Sequence, residues 1–175
     1  GLGSGGPIPK TPVSYRLDFS RLSTDGFIDR TGYQYYDLAG AIRWDVSKKL
    51  VLTFSVDAMW DNMNAYWGTP LINGEVAPGT EEINYNVLDN DTGEDSQWLR
   101  LKAEWKATDD VKVRNFLYGY LADRNWKNVE RYTYVPADDL IGRSSPVEIL
   151  HDQSVVGDRL DVTFDHRPFD LENRF

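Results

Sequence analysis

"KLVLTFSVDAMWDN", Lys49 to Asn62, alternates from end to end. Leu50, Leu52, Phe54, Val56, Ala58 and Trp60 are apolar, and Val51, Thr53, Ser55, Asp57 and Met59 between them are mostly small or polar. Period two puts the two sets on opposite faces of a β-strand. The run is about twice the usual soluble strand of roughly 5–6 residues. From Leu50 to Trp60 it suits the ~9–11 tilted residues with which a strand crosses a bilayer.

Further runs carry the same pattern. "SYRLDFSRL" sets Tyr15, Leu17 and Phe19 against Arg16, Asp18 and Ser20. "YDLAGAIRWDV" sets Leu38, Ile42 and Trp44 against Asp37, Arg43 and Asp45. "QWLRLKAEWKA" sets Leu99, Leu101, Ala103 and Trp105 against Arg100, Lys102 and Glu104. "DRLDVTFDH" sets Leu160, Val162 and Phe164 against Arg159, Asp161 and Thr163. "VKVRNFLYGYLADRNW" changes parity between Val113 and Phe116, and a β-bulge near Asn115 is expected to reconcile its halves. About six strands result, and the expected fold is all-β, an antiparallel up-and-down meander of long strands. It reads as a transmembrane β-barrel or a segment of one. The Gly- and Pro-rich residues 1–13 read as a linker, and 14–175 as the β-domain, with long loops at about 61–97 and 125–155.

The connections alternate in length. "DVSKK" and "ATDD" are tight, whereas the loops before Gln97 and before Asp158 are long and polar. In a meander this places short turns at one end and long loops at the other, as in outer-membrane barrels. Trp44 and Trp105 precede the short turns, and Trp60 and Trp98 flank a long loop. Indole rings favour the membrane–water boundary, so these four are expected to mark two aromatic belts.

Composition is compatible with this reading. Aromatics reach 13 %, and the net charge of −9 disfavours a nucleic-acid partner. There is no cysteine, hence no disulfide frame or thiolate site. Mean hydropathy is −0.53, and no stretch approaches the ~18 apolar residues of a membrane helix. Any antiparallel sheet with one wet face shows the same alternation, however. A soluble up-and-down barrel or sandwich binding a small ligand or sugar is the alternative. An all-β hydrolase is a third reading, for which no pair of carboxylates stands out.

Catalytic signals are absent, and the protein is expected not to be an enzyme. His151 and His166 each adjoin an aspartate, with no nucleophile elbow, HExxH or phosphate loop beside them. "DNDTGED", Asp89 to Asp95, is loosely like a calcium loop but lacks the spacing and the closing glutamate, and it reads as a solvated acidic loop. No metal or cofactor is expected.

The stretch from "SYRLDFSRLSTDGFIDRTGYQYYDLAGAIRW" through "DVSKKLVLTFSVDAMWDNMNAYWGTPL" resembles the early barrel strands of TonB-dependent siderophore receptors. The preceding "GLGSGGPI" is similar to the glycine-rich end of their plug domain, and the likeness continues to "GDRLDVTFDHRPF". The resemblance implies an outer-membrane receptor for a ferric siderophore in a Gram-negative bacterium, with TonB driving uptake in the full-length parent. Iron would enter only as the siderophore complex. Such barrels close with about 22 strands, so a fragment, a different closure of the strands, or edge-to-edge self-association of copies is expected here. A ferric siderophore is a compact, often anionic complex with flat rings, held by stacking and by cationic side chains. The aromatic and arginine residues of the long-loop regions are therefore the candidate ligand contacts: Tyr66, Trp67, Arg124, Trp126, Arg131, Tyr132 and Tyr134.

Overall fold

The computed structural model describes residues 1–64, 66, 68–166 and 173–174. Among the described residues ten strands follow in order: β1 (Leu2–Pro7), β2 (Val13–Thr24), β3 (Tyr33–Asp45), β4 (Leu50–Met63), β5 (Leu71–Ile72), β6 (Glu75–Val76), β7 (Asp91–Lys106), β8 (Val111–Val135), β9 (Leu140–His166) and β10 (Asn173–Arg174). Eight of them form one sheet in the order β1-β2-β3-β4-β7-β8-β9-β10, and β5 and β6 form a separate two-stranded hairpin. Every adjacent pair is antiparallel. The chain is an all-β up-and-down meander, a segment of barrel wall.

Register fixes the faces. Trp44 pairs Leu52, Leu52 pairs Ala103, Trp105 pairs Val113, and Val113 pairs Val162. The apolar residues of successive strands thus share one face, and that face is uncovered: Phe54, Leu101, Leu117, Leu160 and Phe164 are all exposed, Leu160 to 61 %. Among the described residues the buried apolar side chains are only Ile28, Ala58, Ala122 and Val129. A water-soluble sheet would bury such a face against a second layer. Leu50 to Trp60 covers about 33 Å of strand, which a ~45° tilt reduces to roughly the 25 Å apolar band of a membrane barrel.

The opposite face carries charge. Arg16 pairs Asp18, Arg43 pairs Asp45 at 2.9 Å, Lys102 pairs Glu104 at 2.9 Å, and Arg159 pairs Asp161 at 3.0 Å, each with the acid two residues along the same strand. Cross-strand pairs join Arg100 to Asp57 and Arg114 to Glu104. We call this the inner face and the apolar one the outer face.

Several expectations are corrected. Residues 2–7 are not linker: β1 pairs β2 throughout, Leu2 opposite Phe19 and Pro7 opposite Ser14. Glycine-rich sequence masks the strand because no side chain alternates there. The β-bulge near Asn115 does not form; the β7–β8 register runs unbroken from Lys106–Lys112 to Asp91–Lys127. Phe116, Tyr118 and Tyr120 therefore lie on the inner face, where Tyr118 lies against Gly157; a Cβ there would stand 2.2 Å from the Tyr118 Cζ. The 125–155 loop is instead the continuation of β8 and β9, joined by a four-residue turn at 136–139 in which Asp139 adopts φ 52°. The 61–97 loop shortens to 64–90, because Asp91–Asp95 opens β7 rather than forming a solvated loop. Inside it, Asn73 and Gly74, with φ of 52° and 86°, make the tight turn of β5–β6.

Candidate functional site

The long β8–β9 hairpin and the 64–90 loop meet at the long-loop end. The loop is held from two sides. Asp29 N–H donates to the Glu82 carbonyl at 2.7 Å, and the Arg30 guanidinium donates to the Asn84 and Asn86 carbonyls. From the hairpin, Tyr132 Oη donates to Asn86 Oδ1 at 2.7 Å and Arg143 Nε donates to the Tyr85 carbonyl at 2.6 Å. Asn84 and Asn86 are buried, so their polar groups depend on these partners. The turn at 136–139 is tied by Tyr134 Oη donating to Asp139 Oδ1 at 2.9 Å. That bond and burial push the Tyr134 hydroxyl above its ordinary range, and burial does the same to Tyr132.

Between loop and hairpin lies a cleft of about 550 Å³. Its apolar wall is Pro70, Ile72 and Ile141; its polar groups come from Tyr85, Tyr134, Asp139 and Arg143. A second, smaller hollow of about 240 Å³ is lined by Arg124, Trp126, Ile149 and His151 on the inner face. Flat rings can stack on the tyrosines, and the Arg143 guanidinium can meet an anion beside them.

The sequence candidates divide accordingly. Tyr132 and Tyr134 come together at the cleft region, Tyr134 lining it and Tyr132 fastening its loop. Arg124 and Trp126 adjoin on the inner face below it, with Trp126 Nε1 donating to Glu130 at 3.2 Å. Arg131 is exposed and of the opposite parity, so it turns away from this group. Tyr66 Oη bonds Thr69 Oγ1 at 2.8 Å within the loop, and Trp67 lies outside the described residues. Sequence reasoning missed Tyr85 and Arg143, which lay in stretches read as featureless loop.

Among the expected belt tryptophans, Trp44, Trp60 and Trp105 stand on the outer face, exposed. Trp98 does not. It belongs to the inner face, 4.6 Å from the Tyr120 ring and 5.0 Å beneath the Arg100 guanidinium. With Phe116 and Tyr118 it forms an aromatic ladder along the inner wall. Leu99 and Leu101 have the parity of the outer face, and Trp98, one residue before Leu99, has the other, opposite Asp57. His151 is exposed on the inner face opposite Arg124; the His166 side chain lies outside the described residues.

No known family and no curated protein sequence matches the chain. Among solved structures it is similar to the closed form of the ferric-catecholate import receptor Fiu from E. coli K12, with a TM-score of 0.68 and 13 % identity. The match covers 94 % of this chain and 26 % of that one, so the chain spans about a quarter of the receptor's length. The likeness is one of fold, an antiparallel barrel wall shared by both proteins.

Proposed function

We propose that this chain is a wall segment of an outer-membrane receptor that recognises a ferric siderophore. The observation that carries the reading is the cleft at the long-loop end, where Tyr85, Tyr134 and Arg143 offer stacking surfaces and a fixed cation above a lipid-sized apolar face. A ferric catecholate is anionic and built of flat rings, which suits that lining. Recognition and passage involve no bond-making step, and iron enters as the siderophore complex with no resident cofactor. The outer face contacts outer-membrane lipid, and in the longer protein TonB drives uptake. The soluble-barrel alternative needs a second layer over Phe54, Leu101 and Leu160, and none packs there among the described residues.

Tryptophan fluorescence of the chain refolded in detergent micelles, titrated with a ferric catecholate, tests the reading. Saturable quenching is expected, and Arg143→Ala should weaken it about tenfold, the size of one charge-assisted hydrogen bond. Equal affinity in both proteins would remove the cleft from the argument. A cooperative β-fold in buffer without detergent would remove the membrane.

A further inference from the structure

The small hollow on the inner face lies apart from the ligand cleft. Trp126, in its wall, stands eight residues of β8 from Tyr134, roughly 27 Å along the strand. Four side chains line it: Arg124, Trp126, Ile149 and His151. Half of that lining is apolar, half is basic, and no carboxylate belongs to it.

Register explains the composition. Asp61 pairs Glu94, Glu94 pairs Arg124 and Arg124 pairs His151, one row of inner-face side chains across β4, β7, β8 and β9. The next row toward the long-loop end brings Trp126 opposite Ile149. Acids thus occupy one end of the charged row and bases the other. Arg124 and His151 are directly opposed, so their Cβ atoms lie about 5 Å apart. Among the described residues Arg124 has one partner, Glu94, with 4.0 Å between Nε and Oε2. That separation is too long for a hydrogen bond, so the guanidinium donors remain open. His151 is exposed and has neither a hydrogen bond nor an ion pair among the described residues. Both also border a larger hollow of about 640 Å³, but its acids Asp95, Asp123 and Asp152 belong to the outer face.

We propose that the small hollow binds an aromatic carboxylate, with Arg124 and protonated His151 holding the carboxylate and Trp126 and Ile149 holding the ring. The proposal goes beyond the siderophore reading, since it needs neither iron nor the cleft. Facing cations on neighbouring strands repel each other. An anion between them replaces that repulsion with charge-assisted hydrogen bonds, and a guanidinium fork matches a carboxylate. A volume of about 240 Å³ is below the ~300 Å³ at which drug-sized sites begin, which suits a single ring. Inorganic phosphate would meet the same cations and leave Ile149, 41 % exposed, uncovered.

Protons enter the balance through His151. An imidazole changes charge between about pH 5 and 8, and only the charged form adds a second cation to the site. Capture is therefore stronger on the acid side and takes up a proton. The groups facing His151 are Arg124 on β8, then Glu94 on β7 and Asp61 on β4, with Gln153 the next inward side chain on its own strand. Glu130 accepts from the Trp126 indole at 3.2 Å. Glu94 competes with the guest for Arg124.

The experiment uses the whole chain in micelles, with benzoate, benzamide and inorganic phosphate each titrated in at about pH 5.5 and about pH 8. Nuclear magnetic resonance follows the Trp126 indole N–H, the Ile149 methyls and the His151 ring, with the Trp98 indole reporting that each variant is folded. Benzoate should shift the site saturably, about tenfold more weakly at the higher pH, and the other two should not. Arg124→Gln should remove binding. His151→Gln should keep the weaker affinity at both pH values, and Glu94→Gln should strengthen binding by up to about fivefold. Arg143→Ala, at the cleft, should leave it unchanged. An equal response to benzamide overturns the anion, and an equal response to phosphate overturns the ring. A pH dependence that survives His151→Gln overturns the role of His151, and loss of benzoate binding in Arg143→Ala overturns the separate site. Benzoate binding without quenching by a ferric catecholate overturns the siderophore reading alone.

Discussion

Deleting a single oxygen, Tyr132→Phe, isolates what holds the ligand cleft in shape. Tyr132 Oη donates to Asn86 Oδ1 at 2.7 Å, and Asn86 is only 2 % exposed, so bulk water cannot supply a replacement donor. The acceptor still receives the Val87 N–H at 2.8 Å and is not left bare. The loss is thus one neutral hydrogen bond, about 1 kcal/mol, or roughly fivefold in the equilibrium between docked and released loop. Arg30, Arg143 and the Asp29–Glu82 backbone bond still hold the loop, and the sheet does not depend on it.

Native-state hydrogen exchange of the chain in micelles reads this directly. Amides of residues 84–87 should open about fivefold more often, while those of β4 and β7 stay as they were. A double-mutant cycle with Asn86→Ala should return a coupling of about 0.5–1.5 kcal/mol. Ligand affinity should hardly change unless the docked loop is already a minor state, because only the docked fraction scales affinity. Exchange that is unaltered at 84–87, or that rises evenly through the sheet, would refute the claim that the loop is a separate unit latched by this bond.

Three further outcomes follow from the faces. In bilayers with brominated acyl chains, Trp105 and Trp44 should be strongly quenched and Trp98, held against Tyr120 on the inner wall, should not; compare single-tryptophan variants. Leu101→Arg should cost roughly 2–4 kcal/mol of stability in a bilayer, against less than about 1 kcal/mol for Lys102→Gln on the opposite face, both read from urea unfolding. The Asp89 carboxyl, hydrogen-bonded to Lys127 at 2.9 Å, is held below the usual carboxylate range by that bond and its charge. A depressed folded-state value means the loop is fastened above about pH 4 and loosens as pH falls further; limited proteolysis near residue 89 should show that acid step, and Asp89→Asn should lose it.

What could be read in the sequence tracks what the surroundings demand of each strand. Where one face is apolar and uncovered and the other carries charge, as along Leu50–Trp60 or Leu99–Trp105, alternation is strict and the strands, their faces and their short turns were legible. The Trp98 assignment failed because the aromatic rule was applied without parity. An indole is at home at a membrane boundary, yet the register with Tyr120 and the Arg100 guanidinium places this one on the inner wall. Phe116, Tyr118 and Tyr120 misled for the same reason: being aromatic they suggested a shifted register, whereas glycine at 157 leaves the room Tyr118 needs on the inner face.

Beyond the apolar belt the rule itself changes. From Lys127 to Val135 and from Leu140 to Ile149 the hairpin runs past the apolar face, and Tyr132 and Arg143 on one of its sides bond the polar 64–90 loop. Nothing there penalises a polar residue on either side, so period two fades although the backbone pairing continues, Lys127 opposite Glu148 and Val135 opposite Leu140. Ser145, with φ 57°, and Pro146, which has no amide to donate, further disguise the stretch as a loop. Yet this is where the candidate ligand contacts lie. Under the proposed function the two facts have one cause: a recognition surface needs side chains chosen for the ligand, and only strands beyond the apolar face are free of the alternation that face imposes.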